Sequence, residues 1–520
     1  MRELKVQTMI RGRDLGPTLA GALLVFGSAC ARPTEPAGDL NVAVVYELAS
    51  LDPHLDNSFE AFSQVSNLYE ALVNLDRDLG LVPALAVSWS NPDATTWAFR
   101  LRPGVRFHDG SLLTAEDVVY SVMRLKQDQT LEARTLLSEV TGATVENGEV
   151  VLRTGRPSAR LLNDLSGVLI VRTGSTRESL EAHPNGTGPY AFESWTPRQR
   201  LKLRRYEGYW GARPTHARVL VEMSATDEQA AAGLREGRLS VVAAASASAE
   251  RAASEGSRYR LVRQPSLFLW HLGFNLSSPT LPGTAGVPNP FRRLEVRQAI
   301  DLALDRSRIA AAGSPGAVPA SHIIPKAVFG HDPGRPASVR DIPRARRLLE
   351  VAGYPHGFEV DIHSPNTTSR RVLDEVRAQL AEIGIRVAVA GSPTGEDFLP
   401  ALRNGKLGFW LLAYGSMTGD SVLSDQFHSR NPVRNLGLDN FSGYANPDLD
   451  RLIEDADVIL DPSMRLPALQ KAVRQVEDQH LSIPLYHNRV LYIVDRALTF
   501  EPRADLLLRY AEIGQSPPVR

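Results

Sequence analysis

The chain has almost no cysteine: one, Cys30, in 520 residues. A single thiol excludes zinc ribbons and dithiol redox chemistry, and past position 30 no internal disulfide can form. Net charge is equally scarce, with 58 Lys and Arg against 59 Asp and Glu, the basic residues spread rather than blocked. That leaves no electrostatic footprint for nucleic acid, which is excluded as a partner. Long apolar runs are missing beyond the first thirty residues, so no later segment is predicted to span a membrane. Catalytic signatures are missing too. There is no His-Glu-x-x-His, no Gly-x-Ser-x-Gly and no Gly-x-x-x-x-Gly-Lys-Ser/Thr, and the histidines form no i, i+4 pair on an expected helix. The expectation is a protein that is not an enzyme and needs no cofactor or metal.

What is present describes an exported globular protein. A hydrophobic content of 43% with 22% charged residues suits a soluble chain, and 520 residues exceed one core and imply two or three domains. Arg11 and Arg13 precede an apolar run from Leu15 to Ala29 that ends in Gly27-Ser28-Ala29-Cys30. A basic start, a short apolar stretch and small residues describe an export signal over 1–30. Cys30 at its end resembles a lipobox cysteine, lipidated and first in the mature chain; the alternative is an ordinary secretory signal that happens to contain it. Residues 31–39 read as a polar tether.

Local patterning is clear further on. Trp97, Phe99 and Leu101 alternate with Ala98, Arg100 and Arg102, the period of a half-buried strand. Pro103-Gly104 and His108-Asp109-Gly110 read as turns, and Thr114 with Asp117 predicts a capping box opening a helix through Val118, Val119, Val122 and Leu125. Leu40–Val45, Phe268–Leu276, Val387–Val389, Phe409–Ala413 and Ile483–Val494 read as strands. Phe59–Leu72, Phe291–Asp305, Ala345–Ala352 and Leu373–Ile383 read as helices, and a further one follows Asn440–Asp450. The alternation predicts an α/β protein with largely parallel sheets. Gly186-Thr-Gly-Pro-Tyr-Ala191 matches the spacing of a dinucleotide loop, but Pro189 is misplaced for one. Alternating Tyr190, Phe192 and Trp195 predict a strand where a phosphate-binding helix is required.

Trp97–Ser121, Gly186–Ala191, Arg205-Tyr-Glu-Gly-Tyr-Trp210 and Phe291–Asp305, in this order, resemble the motifs of the family 5 solute-binding proteins of ABC transporters. That family includes oligopeptide-, dipeptide- and nickel-binding proteins, and the resemblance runs from about Leu40 to Val494. It implies an α/β, periplasmic-binding-protein-like type II fold of cluster C, three domains around a ligand cleft that closes by a hinge. Domain I would be discontinuous (40–72, 186–268 and 482–520), domain II inserted (73–185) and domain III large (269–481). The implied function is an extracytoplasmic binding subunit of an ABC importer, a monomer in the periplasm or at the outer face of the cell membrane. It would be anchored through Cys30, capturing peptides and delivering them to the permease subunits. An oligosaccharide or other uncharged solute, a sensor or chaperone-like role without a permease, and a secreted hydrolase are the alternatives.

The resemblance also directs attention to particular residues. The first strand runs out at Tyr46, beside the implied cleft. Phe409–Ala413 leads into a loop carrying Tyr414, Gly415, Ser416, Thr418 and Asp420. Peptide-binding relatives place here an Asp that pairs with the peptide amine. The ungapped register puts Gly415 in that place, and Asp420 takes the role only if the loop is rearranged; otherwise it caps a helix or turn starting at Ser421. Dipeptide-binding relatives carry an Arg for the ligand carboxylate where His363 is nearest. Trp270 and Tyr414 are candidate stacking platforms, whereas Trp410, inside its strand, is expected in the core. His271 and His363 are the only imidazoles near the implied cleft to which a metal chelate could bind.

Overall fold

The structure, a computed structural model, describes residues 38–223, 225–366, 368–390 and 395–516. The export signal, Cys30 and most of the tether lie outside the described residues. Two long strands organise the molecule. Tyr259–Phe274 and Ser482–Asp495 pair antiparallel along most of their length. They carry Phe409–Tyr414 on one side, and Val241–Val242, Leu40–Ala43, Arg218–Glu222, Arg200–Arg205 and Tyr190–Thr196 on the other. Both are strand-rich in Leu, Val, Ile and aromatic residues, and each buries one apolar set in either half of the sheet.

The sheet is mixed rather than largely parallel. Leu40–Ala43 runs parallel to both its neighbours, and Glu359–Ile362 runs parallel to Arg386–Val389; the other paired strands are antiparallel. Connectivity contributes: Tyr190–Thr196 and Arg200–Arg205 are joined by a short turn, which allows only antiparallel pairing, and Arg218–Glu222 returns antiparallel through the longer segment 206–217. Helices alternate with strands in the sequence without enforcing parallel neighbours.

The stretch 86–154 forms a separate four-stranded antiparallel sheet, Ala86–Asp93, Thr96–Leu101, Glu149–Thr154 and Val140–Glu146 in that spatial order. Trp97, Phe99, Val105, Val118, Val122 and Leu125 fill one core beneath it. Helix Ala115–Gln127 opens as expected: Thr114 N–H donates to Asp117 Oδ2 at 2.8 Å, and the Asp117 Oδ1 accepts from Thr173 N–H at 2.8 Å. His108 packs inside, its Nε2 3.0 Å from Gly188 O and its Nδ1 accepting from Gly186 N–H at 3.3 Å. It serves as a joint between chain segments.

Two expected helices are shorter than their patterns. The helix at 59 ends at Val65. Asn67 spends its side chain on Ser63 O and Leu508 O, both at 2.9 Å, and on Tyr510 N–H, so the chain turns there. The freed Leu68 carbonyl accepts from Gly188 N–H at 2.9 Å. A Cβ on Gly186 would stand 2.0 Å from that same oxygen, which is why Gly186-Thr-Gly carries glycine: it docks on backbone. No helix follows it; Tyr190 starts a strand. Of the run Phe291–Asp305 only Leu294–Ala303 is α-helix; a separate helix, Arg306–Ala312, follows it, with Asp305 accepting from Ser307 N–H and Arg308 N–H as its cap. Gly353, at φ +89°, stops Ile342–Val351 as predicted.

Candidate ligand cleft

The two long strands pass from one half of the molecule to the other between Pro265 and Leu269, where their register slips; a second slip follows at Trp270/His271. Extra residues at such slips bend a strand and increase its twist. Beside the first slip lie Phe268, whose carbonyl is 3.1 Å from His487 Nδ1, and Gly415, where a Cβ would meet the Phe268 ring at 3.1 Å. Phe409–Tyr414 ends here because Thr418 starts a new helix, Gly419–Gln426.

The candidate residues divide into three groups. The first surrounds the slip. Trp270, half-buried, stacks on Tyr486 at 6.0 Å with the rings 9° apart. Tyr414 is buried, its hydroxyl donating to Ile323 O at 3.1 Å and its ring meeting the edge of His271 at 4.9 Å. His271 Nδ1 is 2.8 Å from Ser482 Oγ, and burial pulls its pKa down to about 4, so the imidazole is neutral.

The second group is the loop. Ser416 Oγ accepts from Thr418 N–H, and Thr418 Oγ1 accepts from Ser421 N–H, both at 3.3 Å. Thr418, not Asp420, is therefore the helix cap, because the helix begins two residues earlier than its pattern suggested. Asp420 sits in the first turn with Oδ1 3.8 Å from Arg465 Nε. Burial pushes it up to about 6, against the pull of Arg465 and with the help of Asp457.

The third group stands away. Tyr46 accepts from Gln64 Nε2 at 2.8 Å, and Gln64 in turn accepts from Tyr510 OH at 2.7 Å; Tyr46 shares no hydrogen bond or ring contact with the other candidates among the described residues. His363 bridges its short strand to Trp410, its Nδ1 buried without a hydrogen bond and its pKa lowered by burial. Trp410 is in the core as expected, its indole lying where a Cβ on Gly273 would be. Among the described residues, no three His, Cys, Asp or Glu side chains gather as a metal site.

Sequence patterning missed Phe268, Tyr486 and His487. Each lies in a run read correctly as strand, but their meeting depends on a pairing between stretches more than two hundred residues apart. His54, which follows Asp52-Pro53, is fully buried. It is held by Leu169 O at 2.7 Å and Arg124 Nη1 at 2.7 Å, and Arg124 also pairs with Asp52.

The model of the bacterial extracellular solute-binding proteins, family 5 middle region, matches residues 80–431. The chain belongs to this family. Similar proteins include the glutathione-binding protein GsiB of Pectobacterium atrosepticum, 27% identical over 72% of this chain and 73% of that protein. GsiB of Salmonella typhi is 24% identical over 92% of this chain and 94% of its own. Among solved structures, HbpA2 from Haemophilus parasuis superposes with a TM-score of 0.81 at 21% identity, covering 92% of this chain and 100% of that one. DppA from Helicobacter pylori, in complex with the peptide STSA, gives 0.71 at 21% identity, covering 92% and 98%. The α/β binding-protein fold is thus shared over nearly the whole described chain. As a family 5 member the protein is an extracellular solute-binding protein, and its relatives are binding proteins rather than enzymes. Among the described residues no helix is long and apolar enough to cross a membrane.

Proposed function

We propose that the protein is the peptide-capturing subunit of an ABC importer, closing two lobes on its ligand and presenting the closed form to a permease. The observation that carries this reading is the match over 92% of the chain to a glutathione-binding protein. It is supported by the polar Tyr414–Asp420 loop lying beside two strands that run through both halves of the sheet. In this reading the lobes correspond to 40–72, 186–268 and 482–520 with the inserted 73–185 on one side, and 269–481 on the other. Gly415, Ser416, Phe268 and Trp270 face the ligand. Cys30 carries a lipid that holds the mature protein at the outer face of the membrane.

The charged clamps of a free dipeptide are absent from this loop. Gly415 has no carboxylate, Asp420 is buried with its Oδ1 3.8 Å from Arg465 Nε, and a neutral His363 is a poor substitute for a guanidinium. A peptide held through its backbone fits better than one held by its ends. Binding to a preformed native state stabilises it by about 2.7 kcal/mol at a hundredfold excess over Kd, enough to read as a rise in Tm. The test is thermal unfolding with glutathione, tri- and tetrapeptides, their N-acetylated forms, oligosaccharides and a nickel–histidine chelate. The expected result is a Tm rise with peptides that survives acetylation within about threefold in Kd, less than one hydrogen bond's worth. A response to oligosaccharide alone sinks the peptide reading. For the anchor, mass spectrometry of the membrane fraction should show a diacylglyceryl adduct that Cys30→Ser abolishes.

A further inference from the structure

A cavity of about 920 Å³ lies among helices Leu294–Ala303 and Ile342–Val351 and the C-terminal end of Pro462–Asp478. Its volume suits a small molecule, and none of its lining residues is a cleft candidate. Residues 336–340 form part of its wall. They make no backbone–backbone hydrogen bond among the described residues, and Val339 leaves 76% of its surface in water rather than filling the space. Side chains pin this span at both ends. Arg335 Nε lies 2.8 Å from Glu477 Oε2, and Arg340 donates to Ala303 O at 3.0 Å and to Glu382 Oε1 at 2.7 Å.

His480, also in the wall, stands just past the end of Pro462–Asp478 with φ +44°. Its N–H donates to Glu477 O at 3.0 Å, and Leu481 N–H to Val476 O at 3.3 Å, a helix ending that glycine makes with least strain. The backbone therefore gains nothing from a histidine here. What the histidine adds is its ring, held at the cavity with Nδ1 3.6 Å from Asp301 Oδ2 and kept neutral because burial lowers its pKa. A side chain placed where its backbone is strained points to use.

The charges of the wall are matched, with one exception. Asp301 pairs with Arg306, and Glu477 accepts from Ile323 N–H at 3.0 Å besides facing Arg335. Asp341 accepts from Arg344 N–H at 2.9 Å as a helix cap. The exposed Arg344 guanidinium and the polar ends of Gln298, Ser321 and Ser338 have no partner among the described residues. One cation and several neutral donors are thus left over, the complement of an oxyanion. The carboxylates of Asp301, Asp341 and Glu477 disfavour a second negative charge on it.

We infer that this cavity is a second ligand site, taking a small monocarboxylate on Arg344 with its polar body against His480, Gln298 and Ser338. The site requires no assumption about the cleft.

The test follows the full chain by thermal unfolding and calorimetry with sodium lactate as probe, beside malate, inorganic phosphate, glycerol and matched sodium chloride. Lactate should raise Tm more than any of the other four. Arg344→Gln, at an exposed position, should weaken lactate binding about tenfold, the worth of one hydrogen bond to a charged group. His480→Gly should keep or raise the ligand-free Tm and yet weaken lactate binding about fivefold. No rise with lactate, or a lactate affinity unchanged by Arg344→Gln, overturns the site. An equal rise with malate or phosphate overturns the monocarboxylate assignment. A lower ligand-free Tm in His480→Gly with unchanged lactate affinity makes the histidine part of the fold alone and overturns its role.

Discussion

At the scale of single residues, the histidines define the acid response. His54, His108 and His271 are each pulled down to about 4, chiefly by burial, whereas an unfolded histidine titrates near about 6.5. A depressed imidazole contributes stability that is whole above the unfolded value and is lost as pH falls from about 6.5 toward 4. Glu70, raised by burial to about 7 beneath Tyr209 and Trp210, and Asp420, at about 6, act with the opposite sign across part of that window. We expect Tm to fall between pH 6.5 and 4.5, and His271→Asn to flatten that fall by on the order of 2 kcal/mol, measured by calorimetry across pH. An equally steep profile in the variant would exclude His271 as a contributor. Gly186→Ala tests backbone docking at the same scale. Its methyl would collide with Leu68 O, a carbonyl that cannot swing away, so a loss of about 3 kcal/mol is expected from denaturant unfolding.

At the scale of elements, what could be read from the chain was whatever depends on neighbours a few residues away. The Thr114–Asp117 cap, the Pro103-Gly104 turn, the glycine stop at Gly353 and the strand at Tyr190 are all present. Thr114→Ala should cost about 1 kcal/mol, the usual worth of such a cap. Asp117→Ala should cost more, because it also frees Thr173 N–H; equal losses in urea titrations would show that the second bond is idle. The failures share one cause. The helix at 59 was expected to reach Leu72 because its apolar period continues, but Asn67 is claimed by Leu508 and Tyr510, more than four hundred residues away. Asp420 looked equally suited to capping a helix or binding an amine, and it does not cap: Thr418 does, and Arg465 faces the carboxylate.

At the scale of the whole molecule, two long paired strands run through the main sheet, and Ala159 N–H donates to Asp457 O between segments far apart in sequence. If Pro265–Leu269 bends during closure, scattering should show a smaller radius of gyration when a peptide is added. Pro265→Ala should leave that change intact, while a cross-link through Ala159→Cys and Asp457→Cys should abolish it. A radius unaffected by a peptide that raises Tm would mean capture without hinge motion.

The sequence by itself determined the class of the protein. One cysteine, balanced charge and the missing catalytic motifs narrowed the class, and four local signatures in order resemble those of family 5 binding proteins; turns, caps and strand periods are short-range properties. Only the tertiary structure decided how the strands pair, which aromatic rings stack and what the candidate carboxylate faces. Tyr259–Phe274 meets Ser482–Asp495 across two hundred residues of intervening chain. Burial, which neutralises His271 and turns Asp420 toward Arg465, is a property of everything packed around a group rather than of the residues beside it in the chain.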